Sequence, residues 1–144
     1  MPTMDEYLQP SVSNGRPDEQ AWIRRWWHEQ HNARGRIVWE YHLDGFHADA
    51  IWFQDAPLHG AEEPGKDSAR LFPLGGERIV LCEARAALTL RLVGQALVYS
   101  ELARRAGAEL ESTVVLSESG RPQIQEVPCS LGLTVVVSPL ETVA

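Results

Sequence analysis

The sequence predicts a mixed α/β fold, a central sheet flanked by helices in the order α-β-β-β-α-β. Three observations predict it. Two β-branched and aromatic stretches, 36–43 and 46–53, flank an Asp44-Gly45 turn. A near-continuous apolar run at 78–84 is followed by a long apolar helical stretch at 86–106. Further strand-like runs then follow at 112–118 and 133–138. A hairpin leading into a buried strand, a helix and another strand makes a mixed sheet with helices on its faces.

Residues 1–16 read as an N-terminal tail, and 17–144 as one domain of ordinary globular composition. Residues 17–33 read as a helix. Pro17, Asp18 and Glu19 suit its first turn, through the fixed proline φ and the positive end of the dipole. Trp22, Ile23, Trp26 and Trp27 form its apolar face, which packs on a sheet. Arg24, Arg25, Glu29 and Gln30 are expected to face water, and Gly35 to close the element.

RIVWEYHL at 36–43 and FHADAIWF at 46–53 read as a hairpin. Residues 54–77 carry four glycines and three prolines and read as a long loop, the kind that is usually functional or mobile. RIVLCEA at 78–84 is a central strand, and the helix at 86–106 ends at Gly107. The crossover from that strand to Thr113–Leu116 is expected to be parallel. Residues 121–127 read as a helical turn and 133–138 as the last strand.

The charge sum is 13 − 20 = −7, which counts against a large basic surface for nucleic acid. Residues 37–144 hold eight basic and fifteen acidic residues. Any phosphate-backbone contact is therefore expected to lean on the region of the first helix or on a partner chain. Arg24, Arg25, Arg34, Arg36, Arg91, Arg104 and Arg105 are the candidates, most of them solvated. Lys66 is the single lysine and reads as a solvated loop residue. No leader or membrane-length apolar run is visible, so the expected compartment is the cytoplasm. Cys82 and Cys129 have no disulfide or zinc spacing and read as buried or half-buried thiols. There is no glycine-rich phosphate loop and no nucleophile elbow.

Two acids stand out because they sit on strands. Asp49 lies in an apolar stretch of the second strand, and Glu83 ends the central one, followed by Ala84 and Arg85. Glu83 and Arg85 are two apart, so they are expected on one face of the sheet. If the hairpin brings Asp49 beside Glu83, the two anions repel unless a cation lies between them or one takes a proton. A hard ion such as Mg²⁺ or Mn²⁺ suits such oxygen ligands. His42, Asp44, His47 and Asp49 cluster around one turn as a rival transition-metal set, without closed zinc spacing.

Over roughly residues 18–138 the chain resembles the PD-(D/E)xK, or restriction-endonuclease-like, nuclease superfamily. The resemblance rests on element order and on three segments. These are His47-Ala48-Asp49-Ala50-Ile51-Trp52-Phe53, Val80-Leu81-Cys82-Glu83-Ala84-Arg85 and Gly94-Gln95-Ala96-Leu97-Val98-Tyr99. It implies a restriction-endonuclease-like sheet and metal-dependent hydrolysis of phosphodiester bonds in DNA or, less favoured, RNA. Asp49, Glu83 and the Ala84 carbonyl would hold Mg²⁺ or Mn²⁺, and Gln95 would orient a ligand or water. Tyr99 lies one turn on, and Glu40 is a further candidate acid. A homodimer is implied by analogy alone.

The departure is at position 85, where the family carries lysine and this chain has Arg85. Arginine keeps the charge but cannot serve as a general base. It either clamps a phosphate or locks the acids into an ion pair without metal. Two readings stay open: a metal-dependent nuclease, and a weak or inactive nuclease-fold protein serving as an interaction or structural subunit of a larger complex.

Overall fold

The computed structural model describes residues 17–119 and 122–137. The stretch 1–16, read above as a tail, lies outside the described residues. In chain order the elements are α1 (Pro17–His31), β1 (Arg36–Leu43), β2 (Phe46–Phe53), β3 (Ala61–Glu63) and α2 (Ser68–Leu71). They continue with β4 (Arg78–Ala87), α3 (Leu90–Arg105), β5 (Glu109–Ser119), α4 (Pro122–Ser130) and β6 (Leu133–Val137). The six strands form one mixed sheet in the order β3-β1-β2-β4-β5-β6. β1–β2 and β2–β4 pair antiparallel; β1–β3, β4–β5 and β5–β6 pair parallel.

Both hairpin strands form where their composition places them. Asp44 and Gly45 both take positive φ, as a two-residue hairpin turn requires. The 54–77 stretch is not all loop, since β3 adds an edge strand beside β1 and α2 forms a single turn. Both are too short to leave a periodic trace.

α3 starts at Leu90 rather than 86. The β4–β5 ladder continues to Ala87 opposite Ser119, and Thr89 then caps the helix by accepting from the Leu92 N–H at 3.1 Å. α1 ends at His31, because Asn32 and Ala33 turn left-handed. Gly35 comes later and serves another purpose. At φ +74 a Cβ there would meet the Phe53 carbonyl oxygen at 2.3 Å, so only glycine lets this turn close on β2.

α1 covers one face of the sheet. Trp22, Ile23, Trp26 and Trp27 pack on Ile37, Trp39, Ala50, Trp52, Val80, Cys82 and Ala84. Each of these large side chains contributes about 1.5–3 kcal/mol on burial. Arg24 does not simply face water. It bonds Glu62 at 2.7 Å and lies over the Trp39 ring, and Arg25 is half-buried. α3 covers the other face, with Tyr99 and Ala103 against Val38, Tyr41, Ile51 and Leu81. Cys82 is buried as expected, but Cys129 is exposed on α4. Among the described residues no helix is long and apolar enough to cross a membrane.

β1 and β2 share an irregularity that sets up the site. Trp39 and Ala50 belong to the core under α1, whereas Tyr41 and Ala48 belong to the core under α3. Residues two apart normally share a face. Both strands therefore change phase together, at Glu40 and Asp49. Glu40 makes the change with φ +49.

Candidate active site

Asp49, Glu83 and Arg85 come together at a fork in the sheet. β2 and β4 pair only over Ala50–Phe53 and Ile79–Cys82, although both strands continue. Just past the last pair, Asp49 Oδ2 accepts from the main-chain N–H of Ala84 at 2.9 Å. The carboxylate thus takes over from the missing ladder carbonyl and satisfies a part-buried donor.

The Arg85 guanidinium lies at the same point. Its Nη1 donates to Asp49 Oδ2 at 2.6 Å, to the Ala84 carbonyl at 2.6 Å and to Glu19 Oε2 at 3.2 Å. Among the described residues, no hydrogen bond uses its Nε or Nη2. Burial lowers the Arg85 pKa, but Asp49, Glu19 and Glu83 outweigh this and raise it.

Glu83 is fully buried, and neither carboxylate oxygen has a hydrogen-bond partner among the described residues. Burial, then the neighbouring Asp49, raise its pKa well above the ordinary glutamate value, with Arg85 opposing. A proton held by Glu83 relieves the repulsion between the two acids, as a cation between them would. A buried ionised carboxylate without a partner costs several kcal/mol. Among the described residues the site thus gathers three acidic side chains around one guanidinium.

Glu83 and Arg85 both stand beside Asp49, and the charges of both reach Tyr99 on α3. Glu83 follows Leu81 on the α3 side, where Tyr99 feels its charge. Arg85 reaches Glu19 on α1, in the opposite layer. A long side chain can pass there because β4 has already parted from β2.

Of the other expected residues, Tyr99 is buried on α3. Its phenol pKa is raised by burial, and next by Glu83 and Asp49. Gln95 is half-buried one turn earlier, and its side chain makes no hydrogen bond among the described residues. Glu40 does not join the pair. It lines a separate cavity of about 310 Å³ with Gln20, Arg24, Trp39, Glu62 and Gly65. His42 and His47 stack at 4.2 Å on the exposed hairpin, away from the fork. Lys66 is exposed. Of the basic candidates, Arg34 is tied to Gln54 at 2.9 Å, and Arg104 and Arg105 pair with Glu101. Arg36 lies over the Phe72 ring, and Arg91 is exposed.

Glu19 is the site residue that sequence reasoning missed. It looked like a helix-start acid, yet it is 7% exposed and bonded to Arg85. No signal within the chain marks it. Its partner is 66 residues away, and only the fold brings the two together.

No family model, curated protein or solved structure matches this chain. The chemistry must therefore be read from the fork itself. Among the described residues, no three His, Cys, Asp or Glu side chains are grouped for a metal ion. The hard donors present are Asp49, Glu83 and the Ala84 carbonyl, and both Glu83 oxygens lack a hydrogen-bond partner among the described residues. That set fits a hard divalent cation in donor type and in charge. Arg85 Nη1 already bonds two of those donors, so an ion could share them only if the guanidinium moved.

Proposed function

We propose that this chain is a metal-dependent phosphodiester hydrolase acting on nucleic acid, DNA before RNA, with a restriction-endonuclease-like sheet. One observation carries the reading: the fully buried Glu83 carboxyl group beside Asp49 at the β2–β4 fork, without a hydrogen-bond partner among the described residues. Such a group is neutralised by a proton, or keeps its charge where a cation repays the desolvation. Arg85 bonds Asp49 and Glu19 and leaves Glu83 unmatched.

Asp49, Glu83 and the Ala84 carbonyl would hold Mg²⁺ or Mn²⁺. Such an ion, when bound, stabilises charge building on the phosphate and raises the acidity of water. Asp49 is held by the Ala84 N–H, so its oxygen is positioned before any ligand arrives. Glu83 is fixed on a strand paired with β5 on one side and covered by α3. Arg85 supplies a fixed positive charge, and its Nε and Nη2, which form no hydrogen bond among the described residues, suit phosphate oxygens. It does not accept the proton of the attacking water. Gln95, half-buried one turn before Tyr99, would orient a ligand or water.

The test is cleavage of plasmid and single-stranded oligonucleotide with Mg²⁺ or Mn²⁺. Wild type is expected to cut, EDTA and Asp49→Ala to abolish cutting, and Arg85→Lys to keep or increase it. Absence of cutting and of metal binding in all three proteins would refute the reading.

One observation favours a second reading. Arg85 Nη1 bonds both Asp49 and the Ala84 carbonyl, so the fork is held without metal. On this reading the fold serves contact rather than catalysis, as a subunit of a larger complex. The −7 charge agrees with a protein partner.

A further inference from the structure

The position of Arg85 bears on how such a site would be controlled. One nitrogen, Nη1, lies 2.6 Å from Asp49 Oδ2 and 2.6 Å from the Ala84 carbonyl. Those are two of the three donors a cation would need. One atom within bonding reach of both marks a point that a cation would share. A guanidinium nitrogen and a divalent ion cannot occupy it together.

The rest of the guanidinium is uncommitted. Nε and Nη2 form no hydrogen bond among the described residues, and the Arg85 side chain is 36% exposed. Planar N–H pairs of this kind match phosphate oxygens two at a time. Arg85 therefore faces two competing anions: the internal carboxylates through Nη1, and any solvent-side phosphate through its free edge.

We propose that Arg85 is an internal counter-ion standing in for the divalent cation, and that a phosphate of the nucleic-acid strand draws it out of the fork. Cation and nucleic acid then bind cooperatively, because each removes an obstacle to the other. The coupling is reciprocal, so the strand tightens the cation as much as the cation tightens the strand. This inference rests on the hydrolase reading. It adds that the site stays closed to metal until substrate arrives. Glu19 is a positioning residue in this scheme, holding Nη1 at the fork from α1.

The test is calorimetric and needs no turnover. Mn²⁺ is titrated into the full chain, alone and with a saturating phosphorothioate single-stranded oligonucleotide, using wild type and Arg85→Met. Methionine keeps an unbranched side chain without the charge. Near-UV circular dichroism of the tryptophans confirms that each protein is folded. Wild type should bind Mn²⁺ weakly alone and at least about tenfold more tightly with the oligonucleotide, a coupling of ordinary allosteric size. Arg85→Met should bind Mn²⁺ at least about tenfold more tightly than wild type without the oligonucleotide, and should gain nothing from it.

Equal Mn²⁺ affinity in the two proteins would overturn the stand-in role while leaving the hydrolase reading intact. A gain in Arg85→Met without an oligonucleotide effect on wild type would overturn the coupling. Folded proteins that bind no Mn²⁺ at all would overturn the hydrolase reading and this inference with it.

Discussion

Asp49 Oδ2 accepts a hydrogen bond from the main-chain N–H of Ala84 at 2.9 Å, immediately past the Ala50–Cys82 pair where β2 and β4 separate. The residue that would bind metal is therefore also the residue that finishes the ladder. Asp49→Ala should strand the Ala84 N–H and cost about 1–3 kcal/mol. Asp49→Asn keeps an acceptor oxygen and should cost less. Both should lose Mn²⁺ binding. Urea unfolding and calorimetry on the same samples separate the structural loss from the functional one.

Glu83 should give the protein an unusual pH dependence. Its folded pKa is raised, by burial first and by Asp49 next. Above the unfolded value near 4.5 the unfolded chain releases this proton while the folded chain keeps it. Stability attributable to Glu83 is thus fully present below about pH 4.5 and declines as pH rises toward the folded pKa. The slope for one proton is at most about 1.4 kcal/mol per pH unit. Glu83→Gln should remove that slope and be more stable than wild type at pH 8. Urea midpoints measured from pH 5 to 9 on the two proteins check this. Parallel curves would show that Glu83 does not titrate in this way.

Gly65 should tolerate no side chain. A Cβ there would lie 2.1 Å from the Glu40 carbonyl oxygen and 2.2 Å from that of Trp39. Both obstacles are backbone, at the point where β1 changes phase. Gly65→Ala must push the β3–α2 connection off β1. Overpacking of this kind costs about 1–3 kcal/mol or more. Gly45→Ala, with open space around the added carbon, should show only the smaller cost of its positive φ. Thermal unfolding of the two variants side by side gives the comparison.

Glu19→Gln should affect binding more than stability. The Arg85–Glu19 contact is 3.2 Å, with the arginine side 36% exposed, so solvent screens it. The expected stability change is under about 1 kcal/mol. Arg85 loses the one bond to α1 seen among the described residues and is held less firmly, so the oligonucleotide-induced gain in Mn²⁺ affinity should shrink. Calorimetry with and without oligonucleotide reads the effect.

Most elements were legible because their signals are local. β1 and β2 run over the same residues that their β-branched and aromatic content marks, and the Asp44-Gly45 turn dictates how they meet. The parallel β4–β5 crossover followed from the helix between them. Asp49, Glu83 and Arg85 were also legible as a group, because acids inside apolar strands need a partner.

What escaped were features with no local cause. β3 forms only because β1 offers an edge for Ala61–Glu63. The late start of α3 depends on the β4–β5 ladder outlasting the apolar run. The reach of Arg85 to α1 was not expected, because alternation along a strand assumes a neighbouring strand that blocks the way through. At the fork that neighbour is gone, and the guanidinium crosses to Glu19.

All five tryptophans, Trp22, Trp26, Trp27, Trp39 and Trp52, belong to the single core between α1 and the sheet. The α3 layer carries tyrosine and phenylalanine instead. The intrinsic emission of this molecule is therefore an optical label for one layer only. It reports α1 lifting from the sheet and is nearly blind to the loss of α3. An emission transition that precedes the far-UV dichroism transition would mean that α1, and Glu19 with it, detaches before the remainder unfolds. The label is native, so the wild-type chain can be followed without a dye or an added probe.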